Sequence, residues 1–238
     1  MLLIATLRLI YASGYKGHSN MNTTASLNAS QRAIVPIAAW TAKGDLPALS
    51  QALNAGLDAG LTLNEVKEVL LQMYAYTGFP RSLNGITTFM SVVKQRAERG
   101  IHDPVGQAPS PLPQDKSRKE IGTEIQTLIA GRELKAEKGN FIEFLPEINL
   151  FLQEHLFADV IARDNLSLAD REIATIAALT GLGGVESQLQ AHLGGGLNVG
   201  LSEQQIKSLF AVYDNTVNSS EAQRGMQLLD EVMVSRAR

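Results

Sequence analysis

This chain is written twice. The stretch LNASQRAIVPIAAWTAKG (27–44) lies without a gap over LSLADREIATIAALTGLG (166–183), with Arg32 against Arg171 at an offset of 139. Leu27, Ile34, Ile37, Ala38, Ala39, Thr41 and Gly44 all meet identical residues at that offset. Further on, LSQALNAGLDAGLTLNEVKEVL (49–70) lies over LQAHLGGGLNVGLSEQQIKSLF (189–210) at an offset of 140, one residue having entered near Gly184. Self-similarity on this scale marks a tandem duplication, in which each copy is a unit whose apolar face needs a neighbour.

Within both copies the apolar spacing is that of helices with readable ends. Thr62 with Glu65 and Ser202 with Gln205 have capping-box spacing, the hydroxyl accepting from a first-turn amide while the longer side chain reaches back. Each of these helices starts just after a glycine, Gly60 or Gly200. The first carries Val66, Val69, Leu70 and Met73 on one face and stops near Gly78; a further helical segment follows, which Pro80 opens and Gly100 closes. Pro36, having no amide hydrogen, is expected to interrupt or kink the first helix of copy one. Residues 140–165 return to helical spacing through Phe151, His155, Leu156, Val160 and Ile161. The expected fold class is all-α.

One segment resists this reading. In QLQAHLGGGLNVG, Leu189, Leu193 and Leu197 recur at helical spacing, yet Gly194, Gly195 and Gly196 should each weaken an isolated helix by about 1 kcal/mol relative to alanine. Gly196 lies opposite Gly56 and Gly195 opposite Ala55, so both copies keep small residues there. Close packing is the expected compensation.

A chain of 238 residues that is 45% hydrophobic can bury a sizeable core. Its formal charge of -3, without a long basic run, gives no electrostatic support to a nucleic-acid partner. Beyond the amino terminus no segment approaches the roughly 20 apolar residues of a membrane span, so no membrane partner is expected. There is no cysteine, which removes disulfides, thiolate metal sites and thiol nucleophiles together. The start, MLLIATLRLIYASGYKGHSN, has the apolar run and small residues of a secretory signal, but no lysine or arginine before the run and Arg8 inside it. A cytoplasmic location and, for a signal remnant, a periplasmic one both stay open. The organisation expected is an amino-terminal extension (1–24), a first unit (25–101), an extended connector (102–120) holding Pro104, Pro109, Pro111 and Pro113, and a second unit (121–238).

Three stretches together, FLQEHLFADVIARDNLSLADREIATIAALTGLGG, AHLGGGLNVGLSEQQI and AGLTLNEVKEVLLQMYAYTGFPRSLNGI, resemble the carboxymuconolactone decarboxylase family, which includes the alkylhydroperoxidase D-type enzymes. The resemblance covers most of the chain outside the amino terminus and the connector. It implies an alkylhydroperoxidase D-like helical bundle assembled from small units, often as a ring of six around a three-fold axis. A chain of two tandem repeats would make that ring as a homotrimer. In the peroxidase branch a glutamate, a Cys-x-x-Cys pair and a histidine one turn later form a redox and proton-relay site. The glutamate position falls on Glu172 and the histidine position on His192, while the cysteine positions fall on Val185 and Gln188. Disulfide-cycling peroxidase chemistry is thereby excluded, because neither side chain can supply a thiolate. In copy one the acid and histidine positions hold Ala33 and Ala52.

The decarboxylase branch does not require the cysteines. Loss of carbon dioxide from a carboxylated unsaturated lactone leaves an electron-rich dienolate that must be protonated, so the site needs a proton donor and a cation for the carboxylate. The resemblance points to His192 as donor, with Glu172 orienting it and raising its proton affinity. Arg81, after the Gly-Phe-Pro turn, and Asn84, one helical turn on, are candidates to grip the carboxylate, with Tyr76 as a further substrate-binding candidate. The matching stretch of copy two, YDNTVNSSEAQRG, lacks this pattern, so one composite site split between unequal halves is expected.

Each of these residues also has a plain structural reading. His192 suits a buried, satisfied histidine; Glu172 a helix cap or a partner of Arg171; Arg81 a surface residue or an intersubunit ion pair; Tyr74 and Tyr76 core or interface aromatics. Two functions follow. One is a decarboxylase-type enzyme acting on a small carboxylated lactone or related acid without metal or organic cofactor, since His18, His102, His155 and His192 show no metal-ligand spacing. The alternative is a non-catalytic oligomeric binding or scaffold protein that retains the family fold.

Overall fold

The computed structural model describes residues 26–237; the amino-terminal extension, with its signal-like run and His18, lies outside the described residues. The chain runs through α1 (Ala29–Lys43), α2 (Leu46–Asp58) and α3 (Leu63–Glu98), then α4 (Arg118–Ala130) and two short helices, α5 (Phe141–Phe144) and α6 (Pro146–Phe151). A π-helical segment (Leu152–Ile161) leads into α7 (Leu168–Leu182), α8 (Glu186–Asn198), α9 (Glu203–Thr216) and α10 (Ser219–Arg236). Among the described residues there is no strand, so the fold is all-α.

The duplication is visible as a local two-fold arrangement. Helices α1 and α7, the same helix in the two copies, pack side by side and run parallel. Gln31 Nε2 donates to Asp170 Oδ1 at 3.0 Å near their amino ends, and the Lys43 alkyl chain lies against Gly181 near their carboxyl ends. Gln31 and Asp170 occupy the same position in the two units, which places their contact on the local axis. Ile34, Ile37 and Ala38 of α1 and Ile173, Ile176 and Ala177 of α7 are all fully buried in one common core. Each fully buried isoleucine contributes about 1.5–3 kcal/mol, and the alanines let the two helices come close. Each copy therefore supplies the other's core.

Local signals set the helix ends. The capping boxes Thr62/Glu65 and Ser202/Gln205 form as expected, and Asn28/Gln31 makes another. Gly60 and Gly200 have φ of 98° and 106°, which lets the chain turn back so that the Leu61 and Leu201 amides donate to the Gly56 and Gly196 carbonyls at 3.0 and 2.9 Å. Gly78, at φ 78° and ψ 158°, breaks α3 where the sequence ends it. Residues 79–98 then fold back across the first half, and Ser82 Oγ donates to the Leu70 carbonyl at 2.7 Å. Pro36 does not interrupt α1, which continues through it to Lys43. The flanking Ile34, Val35 and Ile37 are buried, and that packing outweighs the hydrogen bond proline cannot make.

The connector is extended through residue 113 and covers the start of α3, where the Leu63 and Asn64 amides donate to the Pro104 and Val105 carbonyls, each at 2.9 Å. It is shorter than its proline content suggests. Ser117 and Glu120 form a capping box, so residues 118–120 already belong to α4. Helix α4 packs so tightly on the π-helical segment that a Cβ on Gly122 would coincide with the Gln153 carbonyl oxygen. A second core forms here from Ile125, Ile129, Leu156, Phe157 and Ile161, with Leu71 and Tyr74 of copy one packed against it.

Candidate active site

The amino-terminal half of α7 presents Glu172, and α8 brings His192 to it. His192 Nδ1 lies 2.9 Å from Glu172 Oε2, with the Glu172 side chain 2% exposed and the His192 side chain 17%. A carboxylate only accepts, so Nδ1 carries the proton and Nε2 is the ring nitrogen not engaged by Glu172. Tyr76, from α3 of copy one, stands edge-on to the imidazole with ring centroids 5.3 Å apart at 82°. Burial, and after it the nearby Glu172 carboxylate, pushes the Tyr76 phenol well above the usual tyrosine range. It holds its proton throughout the physiological range.

The three glycines beside His192 do different things. A Cβ on Gly195 would lie 2.9 Å from the Ile129 side chain and 3.1 Å from Glu172 Oε2, so this residue makes room for the carboxylate and for the α4 wall. Gly196 admits Leu201 and Ile176, while a Cβ on Gly194 would meet nothing within 4 Å. Opposite effects are therefore expected from equal substitutions. Gly195→Ala should destabilise by about 1–3 kcal/mol and displace Glu172, and Gly194→Ala should stabilise by up to about 1 kcal/mol through helix propensity. Thermal melts of the two variants decide it; equal shifts would refute the assignment of Gly195 as the packing residue.

Behind Glu172 lies a buried polar network that joins the two copies. Arg171 is fully buried, and it does not pair with Glu172: its Nη2 donates to Glu68 Oε2 at 2.9 Å and to the Arg163 carbonyl at 2.8 Å, and its Nη1 to Gln72 Oε1 at 3.1 Å. Successive residues of α7 lie about 100° apart around the helix, so Glu172 meets His192 while Arg171 enters the network with Glu68 and Gln72. Arg163 completes the network on Glu68, its Nη2 lying 2.7 Å from Oε1. Burial raises the Glu68 pKa, but hydrogen bonds from Arg163 and Arg171 more than offset this and hold it below the usual 4.5.

Arg81 and Asn84 are not brought to this pair. Both are exposed, and the Arg81 guanidinium lies over Gly44, where a Cβ would coincide with it, at the carboxyl end of α1. That end is level with the far end of α7, ten residues or roughly 15 Å along the axis from Glu172. The cause is Gly78, which turns residues 79–98 back toward α1 instead of onward to α8. The guanidinium there complements the carbonyl end of α1. Of the candidates, Tyr76 joins Glu172 and His192.

The corresponding place in copy one is a shallow groove lined by Ala33, Pro36, Ala55, Ser208, Val212 and Thr216, among others. At the repeat offsets these stand where copy two's site has Glu172, Thr175, Gly195, Glu68, Gln72 and Tyr76. The frame is kept, with Arg32 in the place of Arg171, but the acid, the histidine and the tyrosine are gone.

A second polar cluster had little signal in the sequence. Tyr74 Oη lies 2.5 Å from His155 Nε2, His155 Nδ1 lies 3.2 Å from Asp159 Oδ2, and Arg118 Nε donates to Asp159 Oδ1 at 2.6 Å. The Tyr74 ring stacks on Phe79 at 4.7 Å. His155 and Asp159, four residues apart, were the readable part. The cluster ties α3, α4 and the π-helical segment together. Among the described residues no group of three or more histidine, aspartate or glutamate side chains could hold a metal ion, and no helix is long and apolar enough to cross a membrane.

An all-α tandem repeat in which the Glu172–His192 pair of copy two meets Tyr76 of copy one defines the class. The model of the carboxymuconolactone decarboxylase family matches residues 13–87 and 146–231, and the chain belongs to that family. The two matched stretches confirm the duplication, and they leave α4 between them. Comparison with curated proteins gives no match.

Proposed function

We propose that the chain is a cofactor-independent enzyme of the decarboxylase type, acting on a small carboxylated lactone or a related acid. The Glu172–His192 hydrogen bond, closed on one side by the Tyr76 phenol, carries this reading. Heterolysis of the bond to the carboxylate releases carbon dioxide and leaves the electron pair in a dienolate. The His192 imidazolium then gives its Nε2 proton to carbon, Glu172 stabilises the charged ring, and neutral His192 recovers a proton from water. Tyr76 donates toward the oxygen on which the negative charge gathers. With Arg81 at the other end of the bundle, the Nε2 and phenol donors are also the groups that meet the substrate carboxylate.

The test is carbon dioxide release from a panel of carboxylated lactones, carboxymuconolactones first, run in deuterium oxide. Deuterium should appear at the carbon that lost the carboxylate. No release across the panel would favour the non-catalytic scaffold reading.

The active form proposed is a homotrimer whose six units close a ring. Phe79, Met90, Phe144 and Phe151 are 62%, 66%, 90% and 65% exposed, which supports self-association of the 25.7 kDa chain. Light scattering at micromolar concentration should give three chains per particle; a single-chain mass would count against the ring.

A further inference from the structure

Copy one keeps the arginine of the buried network and loses its carboxylate. In copy two Arg171 is fully buried, and its Nη2 donates to Glu68 Oε2 at 2.9 Å. At the repeat offsets the same two positions hold Arg32 and Ser208. They stand beside each other, since Arg32 Nη1 donates to the Leu27 carbonyl and the Leu27 amide donates to Ser208 Oγ at 3.4 Å. A serine hydroxyl carries no charge, and among the described residues no carboxylate pairs with Arg32. Both residues line the copy-one groove of about 500 Å³, together with Ala33, Pro36, Ala55 and Val212. Copy two closes the corresponding place by setting Ile129 of α4 against Gly195. Helix α2, which carries Ala55, packs on α1 and α3, and among the described residues the groove stays open.

A guanidinium at the edge of apolar walls, around a space of the size that small molecules fill, complements an acid with a compact apolar body. We infer that the copy-one groove binds a small monocarboxylic acid with an apolar ring or chain, its carboxylate taking on Arg32 the place that Glu68 holds on Arg171. The acid is bound and released unchanged, because the positions of Glu172, His192 and Tyr76 in this unit hold Ala33, Ala52 and Thr216. Binding at Arg32 is separate from the acid–base reading of copy two, and neither requires the other.

Benzoate and benzamide share a shape and differ in charge, so isothermal titration of the full chain with each reads what Arg32 contributes. Benzoate should bind roughly five- to tenfold more tightly than benzamide, as a charged hydrogen-bonded pair does at a partly open site. Arg32 is exposed, so Arg32→Gln leaves the fold in place and should remove that preference while benzamide binds as before. Ser208→Glu gives copy one the internal carboxylate of copy two and should remove it as well. No binding of benzoate to the parent chain, equal affinity for the two probes, or a preference that survives either variant would overturn the inference. In crystals of the parent chain grown with benzoate, the carboxylate should lie on Arg32. Benzoate found only at His192, or a groove filled by residues 1–25 or by a second copy of the chain, would overturn it too. Benzoate seated on Arg32 in a chain that releases no carbon dioxide from any lactone would end the acid–base reading alone, which separates the two failures.

Discussion

His192→Asn should abolish turnover, by about 10²- to 10⁴-fold, while leaving the melting temperature close to that of the parent chain. The asparagine amide can donate to Glu172 from nearly the place of Nδ1, so the carboxylate, 2% exposed, keeps its partner. What is lost is the second ring nitrogen. His192→Ala should be equally inactive but also less stable, because a buried carboxylate left without its hydrogen bond costs about 1–3 kcal/mol or more. Together the variants separate chemistry from packing. Activity retained in His192→Asn, or a fall in stability with unchanged turnover in His192→Ala, would make the histidine structural and end the catalytic assignment.

The largest effect on stability is expected at Glu68. Glu68→Ala leaves Arg171, fully buried, without its carboxylate and deprives Arg163 of the same partner. Breaking a buried ion pair from one side costs about 3–5 kcal/mol. At roughly 2–4 °C per kcal/mol for a chain of this size, the melting temperature should fall by about 6–20 °C. Acid should act on the same network. The Glu68 pKa is lowered in the folded protein relative to its ordinary 4.5, so its contribution is present above that value and is lost as pH falls through the folded value. Stability of the parent chain should therefore decline below about pH 4.5, and Glu68→Gln should show a smaller decline. An equal acid slope in both proteins would remove Glu68 from the account.

The sequence by itself determined the duplication, the all-α class, the helix starts at Thr62 and Ser202, the break at Gly78 and the absence of thiol chemistry. These are local or comparative properties: capping boxes, glycine at positive φ and a constant offset need no tertiary information. It also pointed to Glu172 and His192, through resemblance. Helix α4 is marked in the sequence by Ser117 with Glu120 and by the spacing of Ile121, Ile125 and Ile129, although prolines stand directly before it. Pro36 went the other way, because the cost of a missing hydrogen bond is local while the burial that outweighs it comes from α7.

The composition of the site was decided only in three dimensions. Arg81 and Asn84 lie close to Tyr76 in sequence, but Gly78 reverses the chain between them, and spacing along a helix predicts neighbours only while the helix continues. Glu68 and Gln72 are buried polar residues on an otherwise apolar helix face, and nothing within copy one explains their burial. Their partners, Arg163, Arg171 and Thr175, lie about a hundred residues away and arrive only when the local two-fold packing sets α3 of one copy against α7 of the other. A sequence records which groups can ionise or donate. Which of them share one desolvated space follows from how the two copies close on each other.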